Sequence, residues 1–169
     1  MKTTFEDIKI IPTPSFKDNR GSFRPIHCDE SLFVQSNISF SQEGVIRGLH
    51  YQKGMCKFVS AISGYVYDVV VDIRTDSPEF LNWCGYCLDR SHSLFIPHGF
   101  AHGYLTLSEE SVFHYMVNDI WRPNREGGIV WNDPDLDISW PLPCTPVISE
   151  RDSMLPTVKE LFRKVKSIE

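Results

Sequence analysis

The chain has 169 residues, a formal charge of -5, and 41% hydrophobic against 23% charged residues, a size and balance that suit a core large enough to need no disulfide or metal staple. Its Lys and Arg gather into no block, which argues against a nucleic-acid or anionic-membrane surface. The 5 cysteines are odd in number, and the start Met1-Lys2-Thr3-Thr4-Phe5-Glu6-Asp7 lacks the apolar core of a secretory signal, so a reducing cytoplasm is the expected setting.

Short β-branched and aromatic runs, separated by Gly, Pro, Asn, Asp and Ser, predict strands at 6–11, 22–27, 31–39, 44–51, 56–63, 65–73, 83–88, 93–96, 102–107, 111–118 and 128–131. That many strands without alternating helices predict an all-β barrel or sandwich. One helix is expected at the end, with Pro156 in its first turn and Val158, Leu161, Phe162, Val165 and Ile168 on the face that packs outside the barrel. No repeat, linker or membrane span is visible and the Pro-rich stretch 141–146 is too short to divide the chain, so 1–169 is expected to form a single domain.

A few polar residues stand out within these strands. Gly44-Val45-Ile46-Arg47-Gly48-Leu49-His50-Tyr51-Gln52 sets an arginine and a histidine into a run that wants burial, so both must be paired, ligated or turned into a pocket, and His50 is the expected centre of any chemistry. Lys57 shares a face with Val59 and Ala61, where an ammonium is either a lysine snorkelling from a strand end or a functional cation. Cys84-Gly85-Tyr86-Cys87 has C-x-x-C spacing, but without a second pair or a βαβ context these are expected to be strand cysteines. Tyr115 lies on one face with Phe113 and Val117 while His114 points the other way, which makes Tyr115 an inward phenol, structural or functional. His27, His92, His98 and His114 are expected on surfaces or turns.

Pro97-His98-Gly99-Phe100-Ala101-His102 resembles the second motif of cupin barrels, Pro-x-Gly-x-x-His, with Thr106 where that motif usually has Asn. The His-x-His pair of the first cupin motif is missing, since Tyr51 and Gln52 follow His50 and the next acidic residue is Asp68. The expected fold is therefore an all-β, cupin-type (jelly-roll) β-barrel with a short C-terminal helix and no metal site. His102 is either a satisfied histidine under a Gly-rich turn or a neutral donor to a substrate oxygen.

Four motifs carry a wider resemblance: Arg47-Gly48-Leu49-His50-Tyr51-Gln52; Val69-Val70-Val71-Asp72-Ile73-Arg74 with Ser77-Pro78-Glu79-Phe80; Ile96-Pro97-His98-Gly99-Phe100-Ala101-His102-Gly103; and Trp131-Asn132-Asp133-Pro134. In this order they resemble the dTDP-4-dehydrorhamnose 3,5-epimerase family over nearly the whole chain. The resemblance implies a metal-free and cofactor-free homodimer of cupin folds that exchanges N-terminal strands and epimerises a nucleotide-diphospho-4-keto-6-deoxy sugar. It further implies that His50 is the base, Asp152 its partner carboxylate, Lys57 the cation for the enolate oxygen, and Tyr115 the acid on the opposite face. By the same matching Arg20 and Arg47 lie near the diphosphate, Gln35 and Asn37 are polar contacts, His102 touches the sugar, and Phe16 is an aromatic close to the base.

The chain departs from the family in three places. Pro25 stands where members typically have a glutamate, the loop between His50 and Lys57 is shorter than in many, and Ile120 and Trp121 replace a frequent pair of tyrosines. The matched residues do not distinguish inversion of both C3 and C5 from inversion of one, nor thymidine from another nucleotide. A non-catalytic sugar-binding cupin could lose any of His50, Asp152, Lys57 and Tyr115, and all four are present. A metal-dependent oxygenase is disfavoured by the missing His-x-His pair.

Overall fold

The computed structural model describes residues 5–26 and 32–166, so the expectations for His27, Cys28 and Ile168 fall outside the described residues. Strands β1 (Lys9–Pro12), β4 (Gln35–Gln42), β6 (Lys57–Ser63), β9 (His92–Ile96) and β11 (Glu110–Val117) form a first sheet in the order β1-β9-β6-β11-β4. Strands β5 (Ile46–Gln52), β7 (Val66–Asp72), β8 (Trp83–Leu88), β10 (Phe100–Thr106) and β12 (Glu126–Gly128) form a second in the order β12-β5-β10-β7-β8. β2 (Phe16–Asp18) and β3 (Gly21–Phe23) make a separate hairpin. From β4 to β7 and again from β8 to β12 the chain alternates between the two sheets, the winding of a cupin-type jelly roll.

The alternation of side chains along each strand decides what the sheets bury. Val59, Leu94 and Phe113 from the first sheet meet Val66, Val70 and Phe100 from the second to form the core between them. The other face of the second sheet, with Leu49, Val69, Val71 and Ala101, is covered by Ile129, Leu136 and Val158 from the C-terminal part of the chain. That double covering is why β7 and β10 read as continuous apolar runs rather than alternating ones. Each fully buried valine there, such as Val69, contributes about 1.5–3 kcal/mol through the apolar surface it removes from water.

Two of the sequence motifs are structural staples. The buried Asp72 carboxylate accepts from Arg74 Nε at 2.9 Å, Arg74 Nη2 at 2.6 Å and Ser77 Oγ at 2.6 Å, holding the turn that succeeds β7. Asp133 accepts from the backbone N–H groups of Asp135 at 2.8 Å and Leu136 at 3.1 Å, and its second oxygen takes the N–H of Val158 at 2.8 Å, tying a turn to the start of a helix. That helix, α2 (Val158–Lys166), is entered through a capping box in which Glu160 Oε2 accepts from the Thr157 N–H at 2.8 Å and Thr157 Oγ1 accepts from the Glu160 N–H at 3.3 Å. Val158, Leu161 and Phe162 pack on the outside of the second sheet as expected. Pro156, by contrast, lies before the cap and outside the first turn, because Thr157 and Glu160 already define the entry.

Other boundaries move for reasons of tertiary contact. The predicted strand 31–39 is instead Gln35–Gln42, because pairing with β11 continues past Ser39 through Ser41, which lies between the predicted strands. β2 was not expected, and the segment 22–27 contributes strand only as far as Phe23. Cys84 is buried and Cys87 exposed on opposite faces of β8, so the C-x-x-C spacing brings no two sulfurs together. No helix among the described residues is long and apolar enough to cross a membrane.

The pairing of β5 with β10 is irregular. His102 lies opposite His50, yet Tyr104, two residues on, lies opposite Arg47, three residues back, so β5 carries one extra residue in a bulge. Gly48 adopts φ +133° in that bulge, and a Cβ there would sit 2.5 Å from Gly103 Cα. A Cβ on Gly103 would sit 2.6 Å from the Arg47 carbonyl oxygen. Gly103→Ala is therefore expected to force the strands apart and cost about 1–3 kcal/mol in chemical denaturation; an unchanged midpoint would mean that the strands have room to spare.

Candidate active site

Between the two sheets opens a cleft of about 440 Å³ whose wall brings together most of the polar residues singled out in the sequence. β4 contributes Gln35 and Asn37, β6 Lys57 and β11 Tyr115, all from the first sheet. The facing sheet contributes Arg47 and His50 from β5 and His102 and Tyr104 from β10. Arg47 and His50, three residues apart, would point to opposite faces of a regular strand; the bulge at Gly48 turns both inward.

Asp152 reaches this wall from α1 (Glu150–Ser153), a one-turn helix absent from the sequence-based prediction. Its signal was present as Ser149-x-x-Asp152: Ser149 is the N-cap and its Oγ accepts from the Asp152 N–H at 3.1 Å. Asp152 Oδ1 lies 2.7 Å from His50 Nε2, while Oδ2 accepts from the Gly48 N–H at 3.1 Å. Burial would raise the Asp152 pKa, but the bond from His50 and the Gly48 N–H outweigh it and hold the carboxyl below its usual range. Nε2 is the ring nitrogen that meets this carboxylate, so Nδ1 is the one turned away from it.

Lys57 donates from Nζ to the His50 carbonyl at 3.3 Å. Desolvation brings its ammonium down to about 8, the nearby charges of Asp68 and Glu126 resisting a larger fall. Tyr115 is pushed up by burial, with Tyr104 and Glu126 acting the same way and Arg47 opposing, so its phenol stays protonated at neutral pH.

His102 Nδ1 lies 3.2 Å from Asp68 Oδ1, a second imidazole–carboxylate pair that the sequence did not disclose. Parity was the available signal, since Asp68 shares the inward face of β7 with Val66 and Val70. Burial, aided by the charge of Lys57, lowers the His102 pKa despite Asp68. Because Nδ1 is taken up by Asp68, Nε2 is the ring nitrogen left to meet a ligand.

Further cleft residues, among them Tyr104, Glu126 and Arg151, escaped the sequence reading. Glu126 on β12 accepts from Trp121 Nε1 at 2.9 Å and is ion-paired with Arg151 beside Asp152, so the mouth of the cleft is tied to α1. Two expected residues are not at the cleft. Phe16 is 60% exposed on the β2–β3 hairpin against Phe23, and Arg20 at the tip pairs with Asp18 at 2.6 Å in solvent.

Residues 2–160 match the profile of a family described as dTDP-4-dehydrorhamnose 3,5-epimerase. The dTDP-4-dehydrorhamnose 3,5-epimerase of Pseudomonas aeruginosa is 42% identical over 159 residues, spanning 86% of this chain and 88% of that protein. Among solved structures, dTDP-6-deoxy-D-glucose-3,5-epimerase from Legionella pneumophila in complex with dTDP-4-keto-L-rhamnose is similar with a TM-score of 0.90 and 36% identity, covering 98% of this chain and 95% of that one. A 3'-monoepimerase from Streptomyces bikiniensis in complex with dTDP-quinovose is similar with a TM-score of 0.88 and 27% identity, covering 98% of this chain and 91% of that one.

The electrostatics of the cleft can be tested without any ligand. NMR titration of isotopically labelled lysine side chains is expected to show one ammonium, absent in Lys57→Met, with a midpoint about 8. If every lysine titrated near the ordinary value of roughly 10.4, the ammonium would be hydrated rather than desolvated.

Proposed function

Because the chain belongs to the dTDP-4-dehydrorhamnose 3,5-epimerase family, we propose that it inverts C3 and C5 of a nucleotide-diphospho-4-keto-6-deoxy sugar, converting dTDP-4-dehydro-6-deoxy-D-glucose to dTDP-4-dehydro-L-rhamnose without metal or cofactor. The observation that carries this reading is the division of the chemistry between the walls: the His50–Asp152 pair stands on one sheet and its attached helix, Lys57 and Tyr115 on the other.

A proton on carbon beside the C4 ketone is only weakly acidic. His50 Nδ1 removes it, the C–H electrons move into the enolate, and negative charge collects on O4. Lys57 lies where an ammonium can stabilise that oxygen, and Asp152 stabilises the imidazolium left behind. Tyr115 then gives its proton to the face of the planar enolate opposite His50, which inverts the centre. His102, held by Asp68, accepts from a sugar hydroxyl. Gln35, Asn37 and Arg47 meet the nucleotide diphosphate end, where a guanidinium suits paired oxyanions. Inversion of one centre alone is the second reading, favoured by the likeness to a monoepimerase.

The same reading includes a second copy of the chain. β1 pairs with β9 of its own chain here, and on the outward face of the first sheet Phe58, Ser60 and Ser93 are buried, but β4 exposes Ile38 and Phe40, at 59% and 72%. A copy docked there would cover this apolar face and bring the hairpin carrying Phe16 and Arg20 to its neighbour's cleft, with the exchange of N-terminal strands expected from the family. That accounts for the distance of both residues from the cleft of their own chain.

NMR in deuterated water, with substrate and product recovered separately, tests the roles. His50→Asn is expected to abolish deuterium exchange at both carbons, and Lys57→Met to suppress exchange and inversion together. Tyr115→Phe should let exchange outlast inversion, since His50 can still remove a proton and return one to the same face; equal loss of both signals would reassign Tyr115 to sugar positioning. Activity is expected to survive exhaustive chelation, and recovery by added zinc, iron or manganese would favour a metal enzyme instead. Because Lys57 is charged below about pH 8 and neutral above it, kcat/KM should fall as pH rises through that value, and a flat profile to pH 10 would remove Lys57 from the mechanism.

A further inference from the structure

We infer that Tyr104 is a positioning residue for Arg47, its buried hydroxyl acting through Ser41 to aim the guanidinium at the substrate diphosphate. This rests on the reading of Arg47 as a diphosphate ligand. Arg47 Nε donates to Ser41 Oγ at 3.1 Å, and Ser41 Oγ lies 3.1 Å from Tyr104 Oη. Tyr104 Oη lies 2.8 Å from Ser39 Oγ, which donates to the Phe113 carbonyl at 3.3 Å.

The proton inventory gives this chain of bonds one direction. A guanidinium can only donate and a backbone carbonyl can only accept, so Ser41 must give its proton to Tyr104 and Tyr104 must give its own to Ser39. Each hydroxyl accepts one bond and donates one, and each bond polarises the next. The phenol cannot leave its place: Tyr104 is 4% exposed and its ring stacks on Phe113 at 4.1 Å and 24°. Arg47 is otherwise an exposed residue with a long flexible stem, and its other anchor is the Phe40 carbonyl at 3.1 Å from Nη2. Two anchors, both on the Nε–Nη2 edge of the fork, hold the guanidinium plane and leave Nη1 without a partner among the described residues, available to an oxyanion.

The bulge makes the pairing possible by setting Tyr104 directly opposite Arg47, with both side chains inward. Tyr104 is thus unlike Phe113 or Val117 in the opposite wall. Its ring fills the core as a phenylalanine would, and only its hydroxyl reaches the polar chain of bonds.

The test is a double-mutant cycle read by calorimetric binding of thymidine diphosphate to the full chain. Arg47→Ala is expected to weaken binding at least tenfold. Tyr104→Phe, which keeps the ring and its stacking, should weaken it about fivefold, the weight of one hydrogen bond. Ser41→Ala should give a similar loss. The double variant Tyr104→Phe/Arg47→Ala should bind no more weakly than Arg47→Ala alone, because the hydroxyl acts only through the guanidinium. Additive losses would overturn the inference, showing that Tyr104 affects the nucleotide by another route, and so would unchanged affinity in Tyr104→Phe. Unchanged affinity in Arg47→Ala would overturn both, and would locate the failure in the reading of Arg47.

Discussion

Two side chains three residues apart cannot share a face of a regular strand, yet Arg47 and His50 both reach the cleft. The single extra residue in β5 resolves this, and it rests on two glycines that let β5 and β10 pass at a separation no Cβ would allow. The same bulge points the Gly48 N–H at Asp152, so the backbone that turns His50 inward also holds the carboxylate paired with it. The proposed base, its partner and the proposed diphosphate ligand therefore share one local distortion. A substitution that straightened this strand would remove all three at once, although none would itself be altered.

Charge in the cleft is arranged with equal economy. A buried ammonium is costly, and Lys57 remains cationic at neutral pH because the buried Asp68 and the half-buried Glu126 lie near it. Asp68 also bonds His102, and Glu126 also holds Trp121 and Arg151, so each anion joins an electrostatic task to a structural one. The resulting field favours a positive Lys57 and a protonated Tyr115 together, the combination that the proposed enolate mechanism requires.

The two sheets differ in what covers their outer faces. The second sheet is covered by residues of the segment from Ile129 onward, including α2. On the outer face of the first sheet Phe58, Ser60 and Ser93 are buried, whereas Ile38 and Phe40 on the β4 edge are exposed. The exposed β4 edge is the basis of the proposed second copy.

Strand content, the inward phenol of Tyr115, the C-terminal helix and the cleft positions of His50 and Lys57 were all legible in the sequence, because each depends on local periodicity or on a polar side chain set in an apolar run. The four motifs carried the family, although two of them proved to hold turns through Asp72 and Asp133 rather than to line the cleft. The sequence did not disclose the inward serines of β4, the pairing of Asp68 with His102, the ties of Glu126, or the bonds linking Arg47 to Tyr104. Each joins residues far apart in sequence across a sheet, or contradicts strand parity through a bulge. Periodicity reports which face a residue takes on its own strand, whereas the partner waiting on that face is decided only when the two sheets close on one another.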